Sequence, residues 1–128
     1  MYWDSLFPSR KPADHAEVKA AITRNLREPG RMDALRAMLA LSKADTAAIL
    51  DKTVVPALIV MGTKDPDFKN AVEETRMLAG KLHAETMIVD GAGHYPHTEM
   101  ADLVAPRIIA FIEGLMGSDQ PAHWPGPF

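Results

Sequence analysis

Val54-Val55-Pro56-Ala57-Leu58-Ile59-Val60-Met61, stopped by Gly62, is the stretch that decides the fold. It is apolar almost without a break, shows no polar alternation and is rich in β-branched residues. That is how a parallel strand covered on both faces reads, whereas a half-solvated strand would alternate. Pro56 has no N–H to give to a ladder, so it belongs near the start of the strand. Beyond Gly62 a turn is expected over 62–69, and then a helix over about 70–82 with Val72, Thr75, Leu78 and Leu82 on one side. Glu85 to Asp90 reads as a second strand, and Gly91-Ala92-Gly93-His94 as a tight loop. A last helix is expected from about 101 to 116, with Leu103, Val104, Ile108, Phe111, Ile112 and Leu115 forming a wide apolar face. Pro106 must sit in its first turn or kink it.

Upstream of this unit the character is helical. Residues 1–13 hold Pro8 and Pro12 among Trp3, Leu6 and Phe7, and read as an irregular, partly packed lead-in. Tyr2, Trp3 and Phe7, with Pro8, would either dock on the part of the sheet that is missing here or form a mobile end. Asp14 opens a helix with Glu17 at capping-box spacing, Val18, Ile22 and Leu26 fall on one face, and Pro29-Gly30 ends it. A second helix over 31–41 and a third over about 43–51, capped by Ser42, follow. The chain thus divides into a helical segment (1–52), a strand–helix–strand–helix segment with parallel strands (53–116) and a loose tail (117–128). The first strand, apolar on both faces, asks for a neighbour beyond the second, since two parallel strands make a poor sheet alone.

Composition bounds the function. The chain has 128 residues, one domain's worth, with 47% hydrophobic and 24% charged residues. Its net charge of -3 suggests no nucleic-acid-binding face. Cysteine is absent, which excludes a thiol nucleophile, an iron–sulfur cluster and a disulfide framework. No apolar run reaches the roughly 20 residues of a membrane helix. The N-terminus lacks the basic start and apolar stretch of a secretory signal, so a cytoplasmic location is expected.

Two residues carry the chemistry. Gly62-Thr63-Lys64-Asp65 puts a carboxylate just past the first strand, and Gly91-Ala92-Gly93-His94 puts an imidazole just past the second. Open α/β sheets place their ligands at that edge. Parallel neighbouring strands would bring Asp65 to one ring nitrogen of His94 and leave the other as a general base. Taken alone, Asp65-Pro66-Asp67 is ordinary turn material and His94 an ordinary loop histidine. Asp67 is a rival acid two residues on. His94, His97, Asp65 and Asp67 also have ligand chemistry. A His-x-x-His on a loop, however, lacks the fixed face of helical spacing, so no metal site is expected. The glycines at 91 and 93 do not make a dinucleotide fingerprint. Arg24, Arg27, Arg31 and Arg36 form no continuous stripe and read as solvated surface, while Met32, Leu35, Met38 and Leu39 read as helix core or as the lining of a pocket.

In order and spacing, Val-Pro-Ala-Leu-Ile-Val-Met-Gly-Thr-Lys-Asp (55–65) and Gly-Ala-Gly-His-Tyr-Pro-His-Thr-Glu (91–99) resemble the C-terminal part of an α/β-hydrolase. The resemblance covers about 53–116, and 1–52 is similar in style to the end of the helical cap of such enzymes. It implies that Asp65 is the acid and His94 the base of a triad, and that Pro96 and Glu99 belong to the run that follows the histidine, Glu99 supporting the loop or the last helix. It also implies a small-molecule substrate, a small apolar ester, and no cofactor. The departure is the nucleophile. Ser5, Ser9, Ser42 and Ser118 all lie outside a Gly-x-Ser-x-Gly elbow, there is no Gly-x-Asp-x-Gly, and the oxyanion loop is missing. The chain is therefore expected to be a hydrolase fragment or truncated relative that does not run acyl-enzyme chemistry alone. A haloalkane or epoxide hydrolase fragment is the lesser variant. The contrasting expectation is a non-catalytic α/β module that associates, for instance as a homodimer, through the open edge of its first strand.

Overall fold

The computed structural model describes residues 2–117. Four helices and a 3₁₀ turn precede the sheet: α1 (Tyr2–Ser5), α2 (His15–Leu26), α3 (Arg31–Leu39), α4 (Ala44–Ala47) and the turn Leu50–Lys52. Then come β1 (Leu58–Gly62), α5 (Ala71–Leu82), β2 (Glu85–Val89), α6 (Pro96–Glu99) and α7 (Ala101–Met116). The architecture is mixed α/β. β1 and β2 pair in parallel, with Leu58 opposite Glu85 and Gly62 opposite Val89. That register ends both strands at the same edge, as the expected strand–helix–strand unit requires.

Several expectations are corrected. The apolar run 54–61 is strand only from Leu58 onward. β2 begins opposite Leu58, and only Ala57 is met below it, accepting the Glu85 N–H at 2.9 Å. Val54 is 90% exposed, so the run is not covered on both faces throughout. The capping box at Asp14 does not form. Asp14 has φ -89° and ψ 6°, not the extended backbone that aims a cap side chain, and caps nothing with its carboxylate. The third helix is broken into α4 and the 3₁₀ turn. Pro106 lies in the second turn of α7, on the solvent side, where water can satisfy the carbonyl it leaves unpaired. α6, a single turn between the histidine loop and α7, is an element the sequence reading did not anticipate. Of the tail, 118–128 lies outside the described residues.

The core sits between the sheet and α7. Val89, Ala92, Met100 and Val104 are buried together, with Val60, Met87 and Ile108 packed against them. Val60 and Met87 are register partners, so one face of the pleat supplies this cluster. The other face carries Met61, buried, and Ile88, 40% exposed. α5 packs against β1 through the buried Ala71 and Thr75, and is properly capped, since the Asn70 side chain accepts the Glu73 N–H at 3.1 Å. No helix among the described residues is long and apolar enough to cross a membrane.

The lead-in, expected to be irregular and partly packed, opens with α1 and packs elsewhere than on the missing part of the sheet. Leu6 and Phe7 are among the most buried residues described, and they dock on the histidine loop, not on the open part of the sheet.

Candidate functional site

Asp65 follows β1 in a tight turn: its N–H donates to the Gly62 carbonyl at 3.3 Å, and its Oδ1 accepts the Asp67 N–H at 3.0 Å. The second bond is an Asx turn, which fixes the carboxylate on its own loop. The side chain is 4% exposed. His94 follows β2 after the loop opened by Gly91, whose φ of +77° is the left-handed conformation glycine adopts without strain. Gly62 is where the two strand-end loops touch. A Cβ there would lie 2.2 Å from the Gly93 carbonyl oxygen and 2.3 Å from that of Ala92. The Lys64 N–H donates to the Ala92 carbonyl at 2.9 Å, the Gly91 N–H to Thr63 Oγ1 at 2.9 Å, and Thr63 Oγ1 to Asp90 at 3.0 Å.

These contacts bring the two sequence-predicted site residues together. His94 Nδ1 lies 2.9 Å from Asp65 Oδ2 and 3.1 Å from Oδ1. A buried carboxylate at that distance calls for the Nδ1–H tautomer, which leaves Nε2 with a lone pair. Nε2 has no partner among the described residues, and the imidazole is about one-third exposed. The rival Asp67 is also near: its Oδ2 is 3.5 Å from Nδ1, but its side chain is 39% exposed and the Tyr2 hydroxyl donates to its other oxygen. That hydrogen bond, with burial and the negative charge of Asp67 adding to it, pushes the Tyr2 hydroxyl up to about 12. Ligand atoms of Asp65, Asp67 and His94 fall within 4.8 Å of one another, but each group is already engaged as described, and His97 is exposed and apart from them.

Sequence reasoning understated the surrounding shell. Glu99 is 3% exposed and accepts three backbone N–H groups: Ser9 at 2.6 Å, Arg10 at 2.9 Å and Gly93 at 2.6 Å. It supports the histidine loop, as expected, and also ties the lead-in to it. The His94 N–H donates to the Leu6 carbonyl at 3.1 Å, and Ser9 Oγ to the Gly91 carbonyl at 2.7 Å. Tyr95 stands edge-on to the His94 ring with centroids 4.8 Å apart, stacks on Phe7 and contacts Trp3. Trp3 in turn stacks on the buried His15, whose Nε2 is 3.6 Å from Asp4. Lys19 donates to Asp4 at 2.7 Å and holds its carboxyl below the usual carboxylate range. No local pattern in the sequence reports these contacts, because Ser9 and Arg10 are about 90 residues from Glu99.

A cavity of about 560 Å³ lies between the lead-in and the helices, and Tyr95, which contacts His94, forms part of its lining. Tyr2, Trp3, Leu6 and Tyr95 line one side; Ile22, Thr23, Leu26 and Arg27 of α2 and its exit, with Met32 and Leu35 of α3, line the other. Of the α3 stripe, Met32 and Leu35 line this groove, while Met38 and Leu39 are exposed, so helix core is not what they form. Arg31 and Arg36 pair with Glu28 and Asp33 on the surface, as solvated arginines should.

The arrangement defines a mixed α/β chain carrying a carboxylate–imidazole pair at the C-terminal edge of a parallel sheet. Set against models of protein families, against curated proteins and against solved structures, the chain matches none.

Proposed function

We propose that this chain carries the acid and base of an α/β-hydrolase-type active site, as the C-terminal portion of that fold, acting on a small apolar ester in the cytoplasm. The observation that carries the reading is the His94–Asp65 contact at 2.9 Å, with Asp65 buried and Nε2 left open. A substrate-facing hydroxyl at Nε2 would lose its proton to His94 as it attacks the ester carbonyl. His94 would then pass that proton to the leaving alcohol, and reverse the sequence with water to release the acid. Asp65 holds the ring and stabilises the imidazolium. The attacking hydroxyl is not Ser5, Ser9 or Ser42. Ser5 donates to the Tyr2 carbonyl, Ser9 to the Gly91 carbonyl, and Ser42 accepts from the Ala44 N–H, so none is bonded to His94. Ser118 lies outside the described residues. The nucleophile therefore belongs to a segment other than these. An aspartate nucleophile, as in haloalkane or epoxide hydrolysis, is the variant on the same scaffold.

The test is the DNA upstream of the Met1 codon. A frame that continues into a strand, Gly-x-Ser-x-Gly and a helix supports the reading. The protein made from that longer frame should then label with a fluorophosphonate probe, and His94→Ala should slow labelling by about three orders of magnitude or more. A stop codon with a ribosome site directly ahead of Met1 overturns it.

A second reading has its own observation. β1 pairs only with β2 among the described residues, and Ile109, Ile112 and Met116 of α7 are 54%, 48% and 81% exposed. An open strand edge beside an apolar helix is a template for association, including a homodimer. Light scattering that shows a monomer across the accessible concentration range would count against it.

A further inference from the structure

The groove that Tyr95 lines has a polarity pattern that selects its ligand. Five of its lining residues carry a polar side-chain group, and three of those groups are already used. The Tyr2 hydroxyl donates to Asp67, the Trp3 indole N–H to the His15 carbonyl at 3.4 Å, and the Thr23 hydroxyl to the Lys19 carbonyl at 2.8 Å. Among the described residues the Tyr95 hydroxyl and the Arg27 guanidinium have no hydrogen-bond or ion-pair partner. Tyr95 sits against His94, and Arg27 marks the end of α2. The rest of the wall is carbon: Leu6, Ile22, Leu26, Met32 and Leu35. No carboxylate lines the groove, and Glu28, the acid next to Arg27 in the chain, is held by Arg31 at 3.2 Å. The volume suits one small molecule, since such sites run from roughly 300 to 1,000 Å³.

From this inventory we infer that the groove binds an apolar molecule with a carboxylate at one end, its body against Ile22 and Leu26 and its charge on Arg27. Tyr95, the one remaining polar group, is then left for the other end of the molecule, and it abuts the imidazole. That orientation rests on the hydrolytic reading: the substrate would be an ester whose far end is anionic. Binding itself does not depend on that reading, because it needs no nucleophile.

The probes are octanoate and octanol, which share a chain and differ in charge. Trp3 reports on the groove in a Trp124→Phe background, and methyl resonances of Ile22 and Met32 report independently. Octanoate should bind about three- to fivefold tighter than octanol, the upper range for an ion pair in contact with solvent, and the gap should close as salt is raised. Arg27→Met should abolish that gap while leaving octanol unchanged. Ile22→Trp, which fills the groove, should block both ligands as read from the Met32 methyl resonance, with unaltered helical circular dichroism. Equal binding of the two ligands, an Arg27→Met variant that still prefers octanoate, or no response of either reporter at millimolar octanoate would overturn the proposal. A protein that binds octanoate through Arg27 but whose gene shows a stop codon directly ahead of Met1 keeps the groove and loses the hydrolase.

Discussion

The two halves of this chain hold their shape by different means. From β1 to α7, backbone meets backbone: the loops after the two strands lie so close that Gly62 has no room for a methyl group. From α2 to α4, helices present side chains to one another and to water, and neither α3 nor α4 has a buried residue. The first region therefore has one way to fit, and it is the region that sets His94 against Asp65 within hydrogen-bond distance. The second rests on partly exposed side-chain contacts, which constrain position less tightly than a backbone fit does. The proposed chemistry thus falls on the region of backbone contacts, and the proposed ligand groove on the region of side-chain contacts.

Within the first region, glycine substitutions should separate the tightly fitted strand ends from the open helix surface beside them. Gly62→Ala drives a Cβ into two backbone carbonyls that cannot swing aside, and should cost about 3 kcal/mol or more of stability in urea unfolding. Gly80→Ala in α5 has nothing within 4 Å of the new methyl and replaces the residue with the largest helix penalty short of proline. It should gain about 0.5–1 kcal/mol. Equal effects at the two positions would mean that the strand ends are not packed as tightly as described.

Glu99 is where the lead-in is joined to the histidine loop. Glu99→Gln keeps the shape and removes the charge. Its amide nitrogen must face an N–H that the carboxylate accepted, either that of Gly93 or those of Ser9 and Arg10. An unsatisfied donor in that buried position costs about 1–3 kcal/mol. Because the contact ties the lead-in to the histidine loop, amide exchange should rise at Ser9, Arg10 and His94 together and stay unchanged in α5. Faster exchange at the lead-in alone would show that Glu99 anchors one segment and not both.

How far the sequence could be read follows the same divide. The parallel pair and the Asp65–His94 meeting were legible because local signals carried them: a β-branched run, two glycine-rich strand exits and the rule that ligands collect at that edge. Strand length was overread, since apolarity does not say where a partner strand begins, and here β2 starts only opposite Leu58. The capping box failed because residue types at the right spacing do not fix the backbone angles of Asp14. The docking of Leu6 to Arg10 on the histidine loop left no local trace. It is made by backbone groups, which every sequence has, and by a glutamate at the far end of the chain.

The smallest effect concerns Tyr2, the link from the groove wall to the loop of Asp65. Its hydroxyl donates to Asp67, so ionisation must remove the hydrogen bond and put two negative charges side by side. Both costs keep the proton on and raise the group from 10.0 to about 12. A folded value above the unfolded one favours folding fully below pH ~10, and that contribution declines as pH rises from ~10 to ~12. Ultraviolet difference absorbance should resolve one tyrosine titrating near 12, and Tyr2→Phe should remove that step. Tyr2 is largely exposed, so solvent screens the interaction and the stability involved is a fraction of what the shift alone would suggest. Tyr2→Phe should accordingly move the unfolding midpoint little at neutral pH and reduce its fall between pH ~10 and ~12. A Tyr2 that titrates at its ordinary value would mean that α1 does not hold its place over Asp67, and the groove would then lack that part of its wall.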